Sequence, residues 1–177
     1  SVQFARQSGM TILDFSLLRT NYARVGPITV ARVKPAGDSL SGARLLPIGD
    51  GVKLKLAPSS VVVPPGAIVP VDVVLEAGEQ PVDGADIYLD FNPQHLMIVD
   101  EQGNPAAAIT PGEALATVLQ NRVDNGAGHI DFSAGILTGT PPTGTLKLGR
   151  FYVSPQRANY LGWTTVGFSK EMPRQTD

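Results

Sequence analysis

The chain has 177 residues, of which 42% are hydrophobic and 17% charged, and its formal net charge is −2. This length can bury a core without disulfides or metal ions, and the weak negative charge argues against nucleic-acid binding, which depends on Lys and Arg neutralising phosphates. There is no cysteine, which excludes disulfides and thiolate zinc sites, and no apolar run is long enough to span a membrane.

The first predicted element is a helix at about residues 10–23. Thr11 can cap it, Asp14 lies in its first turn, and apolar residues recur at helical spacing: Ile12, Phe15 and Leu18. Gly26-Pro27 ends it. Residues 27–50 mix β-branched residues with Pro and Gly, and we expect an extended connector there.

From residue 52 onward, short apolar runs alternate with Gly, Pro and Asn at regular intervals. The runs expected to form strands are Val52–Leu56, Ser60–Val63, Ile68–Leu75, Ala85–Phe91, Leu96–Val99, Thr117–Val123, His129–Ala134, Thr145–Val153 and Thr164–Phe168. Short strands at this spacing predict an all-β domain over residues 51–177, a nine-stranded sandwich of two antiparallel sheets.

Two details of these strands can also be predicted. Within Thr145–Val153, the apolar alternation changes phase, and a bulge at Gly149-Arg150 would reconcile the two halves. The Thr110-Pro111-Gly112-Glu113 sequence could open a single helical turn that continues to Leu119.

The strand around Tyr88 carries the most information about function. Its apolar residues, Ala85, Ile87, Leu89 and Phe91, alternate with Asp86, Tyr88, Asp90 and Asn92. Since side chains of a strand point alternately to opposite faces, one face enters the core and the other carries two carboxylates and a phenol. An ordered polar face of this kind favours recognition over chemistry.

Over about residues 52–170, the sequence resembles the cohesin module of cellulose-degrading assemblies. The features appear in the order found in that family: Pro65-Gly66 before the Val69 to Leu75 strand, Gly84 to Pro93, the strand at 96–99, Asp124-Asn125, His129 to Ala134, and Gly144-Thr145-Leu146 leading to Phe151 and Val153. The resemblance implies a jelly-roll sandwich outside the cell or at its surface. It also implies a non-catalytic docking module that binds a dockerin-bearing protein through one sheet face.

The N-terminal segment, residues 1–26, resembles the second half of a dockerin repeat, in which an Asp closes a calcium loop. With Asp14 in that position, the calcium ligands would be Gln3, Ala5 and Gln7, which cannot supply the oxygens that the ion needs. We therefore expect a degenerate dockerin-like helix without metal, packed against its own sandwich or against a neighbouring chain.

Six residues are candidates for partner binding. Asp86, Tyr88 and Asp90 share one strand face, and Asp131, Lys147 and Tyr152 would extend it into a flat polar patch if their strands are adjacent. The simpler alternative is an ordinary solvated strand face.

Other functions find less support in the sequence. Asp86 and Asp90 lie on one exposed face, where neither would acquire the raised pKa of a glycosidase acid, so no catalytic residue is expected. His95 and His129 lack metal-binding spacing and are expected in a turn and at a strand edge, and no cofactor motif is present.

A carbohydrate-binding sandwich remains an alternative that would use Tyr88, Tyr152, Tyr160 or Trp163, although Trp163 more naturally plugs one end of the sandwich. A structural spacer of a surface protein is the third possibility.

Overall fold

A computed structural model describes residues 11–15, 18–19, 52–64, 66–156, 163–170, 173–174 and 176. The strands within these ranges are β1 (Thr11–Phe15), β2 (Leu18–Arg19), β3 (Lys53–Ala57), β4 (Ser60–Val63), β5 (Val69–Gly78), β6 (Gly84–Phe91), β7 (Leu96–Val99), β8 (Thr110–Pro111), β9 (Thr117–Asp124), β10 (His129–Gly135), β11 (Gly144–Pro155) and β12 (Trp163–Phe168).

The strands form two sheets that pack as a sandwich. The first sheet has the order β4-β1-β12-β6-β10-β9, and the second has the order β2-β3-β5-β11-β7, with β8 paired to β11. Pairing is antiparallel throughout these sheets except between β1 and β12, which run parallel.

The core lies between the inner faces of the two sheets. Alternate residues of β5 point inward, and they face the buried residues of β6 and β10. Side chains that are almost completely buried include Val71, Val73, Ile87, Leu89, Ile130, Phe132 and Phe151. Their burial is the main source of stability for the sandwich.

All nine strands predicted from residue 52 onward are present, with bounds that differ by up to three residues from those expected. The predicted bulge in β11 is present, but it lies earlier than the expected Gly149-Arg150 position: the pairing with β5 shifts between Lys147 and Gly149. Leu146, Leu148, Phe151 and Val153 are therefore all buried. The strands were predictable because alternation and turn residues are local signals that agree with the tertiary structure.

The predicted N-terminal helix is wrong for its described part. Thr11–Phe15 is a strand that lies between β4 and β12, and Leu18–Arg19 pairs with β3. A short isolated helix is marginal in water, whereas a strand with neighbours on both sides satisfies its backbone groups and suits Thr, Ile and Phe. Residues 1–10, 16–17 and 20–51 lie outside the described residues, so the division into segments 1–26, 27–50 and 51–177 stays a prediction.

The predicted helical turn beginning at Thr110 is also wrong. Thr110–Pro111 pairs with Gly149 and Arg150 of β11, and the chain then bends before entering β9. A Cβ on Gly112 would lie 2.0 Å from the carbonyl oxygen of Lys147, so the backbone approaches β11 too closely for a side chain there.

Within the described parts of the chain, no helix is long and apolar enough to cross a bilayer.

Candidate functional site on the outer face of the first sheet

Three rows of side chains cover the outer face of the first sheet where β6, β10 and β9 lie side by side. The register between these strands places opposite one another Asp86, Ser133 and Gln120 in one row, Tyr88, Asp131 and Arg122 in the next, and Asp90, His129 and Asp124 in the third. The alternate residues of β6 and β10 are buried in the core, so the polar ones project outward. The expected adjacency of Asp131 to Asp86, Tyr88 and Asp90 is therefore realised.

The first row is the most open part of this face. Asp86 and Gln120 are exposed, and the hydroxyl of Ser133 donates a hydrogen bond to the Asp86 carboxylate. This bond orients Asp86 and still leaves acceptor sites on its carboxylate free for other donors.

The other two rows are engaged by Arg174, which follows the last strand. Its Nε donates to Asp131 Oδ1 at 2.8 Å, its Nη1 donates to Asp90, and its guanidinium carbon lies 5.7 Å from the centre of the Tyr88 ring. Burial opposes ionisation of Asp90, but hydrogen bonds from Arg174 and Ser169 outweigh it, and the pKa of Asp90 lies below its ordinary value. Arg174 thus offsets one of the two negative charges that Asp90 and Asp131 place on the acidic face, which is the outer face of the first sheet at β6, β10 and β9.

His129 lies at the edge of the same cluster. Its Nδ1 is 2.9 Å from Asp90 Oδ1 and 2.8 Å from Nη1 of Arg174. Asp90 can only accept and Arg174 can only donate, so Nδ1 makes one of these hydrogen bonds at a time: when protonated it donates to Asp90, and when unprotonated it accepts from Arg174. His129 is the first residue of β10 and His95 lies in a turn, as expected for both.

Lys147 and Tyr152 do not join this surface. Both lie on β11 in the second sheet, and their side chains are outside the core on the opposite side of the sandwich. Lys147 Nζ is 2.9 Å from Asp72, and the Tyr152 hydroxyl donates to Glu101. The six candidate residues therefore form two separate groups, because strand order, which the sequence does not reveal, puts β11 in the other layer.

Tyr152 also borders a small cavity of about 170 Å³ beside Glu101, Ile109 and Arg150. Ligand pockets usually have volumes of several hundred cubic ångströms, so this space is small for a sugar or a cofactor. Among the described residues, no group of three His, Asp or Glu side chains is arranged to hold a metal ion.

Two features of the acidic face were not found from the sequence. Arg174 is 84 residues from Asp90 along the chain, and no local pattern links the two. Val118 and Leu119 on the edge strand β9 are 40% and 67% exposed. The register of β9 against β10 shifts at this point, which interrupts the alternation that would assign each side chain to a face.

This arrangement of sheets can be compared with solved structures. The second type II cohesin module of the cellulosomal adaptor ScaA scaffoldin of Acetivibrio cellulolyticus matches with a TM-score of 0.50 at 17% identity, over 62% of this chain and 71% of that one. The fold is that of a cohesin module.

Two further matches come from the same organism. A type II cohesin domain of its cellulosome matches with a TM-score of 0.49 at 14% identity, over 61% of this chain and 68% of that one. An interface mutant of a type II cohesin–X-dockerin complex matches with a TM-score of 0.48 at 16% identity, over 62% of this chain and 72% of that one. No family model matches the sequence, and a search of curated proteins finds no match.

Proposed function

We propose that this chain is a non-catalytic docking module that works outside the cell or at its surface and binds a dockerin-type partner. Its sandwich, with the jelly-roll connectivity that the sequence resemblance implies, would serve as a rigid support for the outer face of the first sheet. The observation that carries the proposal is the set of three rows of polar side chains on β6, β10 and β9, in a protein that has the fold of a cohesin module.

The chemistry of this face suits protein recognition. Asp86 and Gln120 offer acceptors and donors at an exposed, preformed position, and Arg122 and Asp124 form an ion pair at 3.0 Å on the neighbouring strand. Leu119, at the register shift of the adjoining edge strand β9, adds exposed apolar area. Protein interfaces combine apolar contacts with hydrogen bonds. Binding is stronger when the contacting residues are already ordered, and residues of a sheet are.

The proposal can be tested by comparing the two outer faces of the sandwich. Asp86→Ala removes an exposed carboxylate from the first sheet, and we expect it to weaken binding to a captured dockerin by about 1–3 kcal/mol. Two control variants should leave the affinity unchanged: Lys147→Ala, which alters the second sheet, and Glu79→Ala, which alters an exposed residue elsewhere. Isothermal titration calorimetry with each purified variant gives the dissociation constants, and thermal melting checks that the fold is retained.

The alternatives predict different results. Loss of affinity in Lys147→Ala with none in Asp86→Ala would move the docking surface to the second sheet. Failure to capture any member of a dockerin panel, together with retardation in gels that contain soluble polysaccharide, would replace docking by sugar binding. A module that gives neither signal would be a spacer.

A further inference from the structure

Arg174 and Thr176 of the C-terminal segment contact the strands of the acidic face. Beyond the end of β12, the backbone N–H of Ser169 donates to the Tyr88 carbonyl at 2.8 Å. The hydroxyl of Thr176 donates to the same carbonyl at 2.7 Å and accepts from the Tyr88 N–H at 3.0 Å. Thr176 is buried, and it thereby fixes the segment to Tyr88, next to the residues of β6 that pair with β12.

Arg174 is held by more groups than a surface arginine usually finds. Its guanidinium donates to both carboxylates, Asp90 and Asp131, and its Nη2 is 3.2 Å from the Leu89 carbonyl and 3.4 Å from that of Ile130. The ring of Tyr88 supplies an aromatic face beside it. Only 22% of the Arg174 side chain is exposed. The planar guanidinium matches this set of acceptors better than an ammonium group would.

The acceptors exist independently of the segment that fills them. Asp90 and Asp131 belong to adjacent strands of a rigid sheet, and their positions are set by the register of β6 and β10. Arg122, the nearest cation in the register of these strands, pairs with Asp124 instead. Without Arg174, the face would hold two carboxylates and two carbonyl oxygens around a vacant place for a cation.

We propose that Arg174, held in place by Thr176, is an intramolecular cover of the docking face, and that a partner gains access by placing a guanidinium of its own where Arg174 lies. The inference rests on the proposed function, since it describes how the same face is opened. Asp86 and Gln120 stay exposed beside the covered rows and are available for first contact. Full engagement of Asp90 and Asp131 then requires Arg174 to leave.

The covering role can be tested without a protein partner. In the full chain, Arg174→Ala should create a site for Nα-acetyl-arginine methylamide, seen as saturable shifts of the Tyr88, Asp90 and Asp131 amide signals by NMR. The wild-type chain should bind this probe at least about tenfold more weakly, because Arg174 competes at a high effective concentration. Nα-acetyl-lysine methylamide is the matched probe and should bind more weakly to Arg174→Ala.

A second variant covers the case in which Arg174→Ala does not fold. Thr176→Val removes the hydroxyl that ties the segment to Tyr88 but leaves Arg174 and both carboxylates in place, so it should also increase binding of the arginine probe over wild type. Equal responses of the wild-type chain and a folded variant, or no saturable response in either variant, would overturn the proposal.

The partner assay separates this inference from the proposed function. If a dockerin uses the covered rows, Arg174→Ala should bind it about tenfold more tightly than wild type. Equal dockerin affinities would overturn the cover and leave the docking function standing. Binding of the arginine probe by Arg174→Ala without capture of any dockerin would overturn the docking function and support the guanidinium site.

Discussion

Arg150 on β11 donates two hydrogen bonds to Asp72 on the neighbouring strand β5, from Nε at 2.6 Å and from Nη2 at 2.9 Å. Lys147 approaches the same carboxylate, and Lys55 pairs with Glu76 on the strands β3 and β5. The outer face of the second sheet thus balances charges between its own strands. On the first sheet, Asp90 and Asp131 receive their cation from a segment that follows the last strand. On the proposed mechanism, it is therefore the outer face of the first sheet whose carboxylates, Asp90 and Asp131, are exposed when Arg174 leaves.

Asp72 should contribute to stability in a pH-dependent manner. The hydrogen bond from Arg150, opposed by burial and assisted by Lys147, lowers the pKa of Asp72 from 3.8 to about 2. The carboxylate is therefore favoured in the folded state, and its contribution is complete above pH 4 and is lost as the pH falls towards 2. Because solvent screens part of the interaction, we expect Asp72→Asn to reduce the free energy of unfolding at pH 7 by about 1 kcal/mol.

Urea denaturation at several pH values between 2 and 7 measures this effect. The difference between wild type and Asp72→Asn should shrink as the pH falls from 4 to 2. Glu79→Gln is the control, since Glu79 is exposed, and its effect should stay within about 0.5 kcal/mol. A constant difference between wild type and Asp72→Asn over the whole pH range would contradict the assigned role of the ion pair.

Gly128 should tolerate no side chain. Its φ is +77°, and a Cβ would lie 2.1 Å from the Phe91 carbonyl oxygen, which cannot move without disturbing β6. We expect Gly128→Ala to cost at least about 3 kcal/mol, from the backbone conformation and the clash together. Gly139 also has a positive φ, but nothing lies within 4 Å of its Cβ position, so Gly139→Ala should cost only about 1–2 kcal/mol. Thermal melts of the two variants compare them directly, and equal losses would show that the clash is relieved.

Asn125 should be a specific structural residue of the turn before β10. Its Oδ1 accepts from the Ile98 N–H at 2.8 Å, and its Nδ2 donates to the carbonyls of Ile98 and Ala106 at 2.9 and 3.2 Å. Asn125→Ala should cost about 1–3 kcal/mol, because it leaves these backbone groups without partners. Asn125→Asp should cost more at pH 7, since a carboxylate oxygen would then face two carbonyl oxygens.

Chemical denaturation of Asn125→Ala and Asn125→Asp tests this assignment. Asn104 provides a matched control because its exposed side-chain amide donates to the carboxylate of Asp100 rather than to buried backbone groups. Asn104→Ala should change the free energy of unfolding by about 0.5 kcal/mol or less. An Asn125→Asp variant as stable as wild type at pH 7 would show that the side chain at this position does not need to donate to the carbonyls of Ile98 and Ala106.

The amino-acid sequence by itself determined the sandwich and the outward direction of Asp86, Tyr88 and Asp90. Alternation along β5, β6 and β10 and the Gly, Pro and Asn residues between strands are local, and burial of the apolar face enforces them. The tertiary structure decided what local patterns cannot encode. It turned Thr11–Phe15 into a strand by giving it neighbours on both sides, and strand order placed Lys147 and Tyr152 on the opposite layer from Asp131. It also brought Arg174 onto Asp90 and Asp131, because residues far apart in the chain meet only once the sheets have assembled.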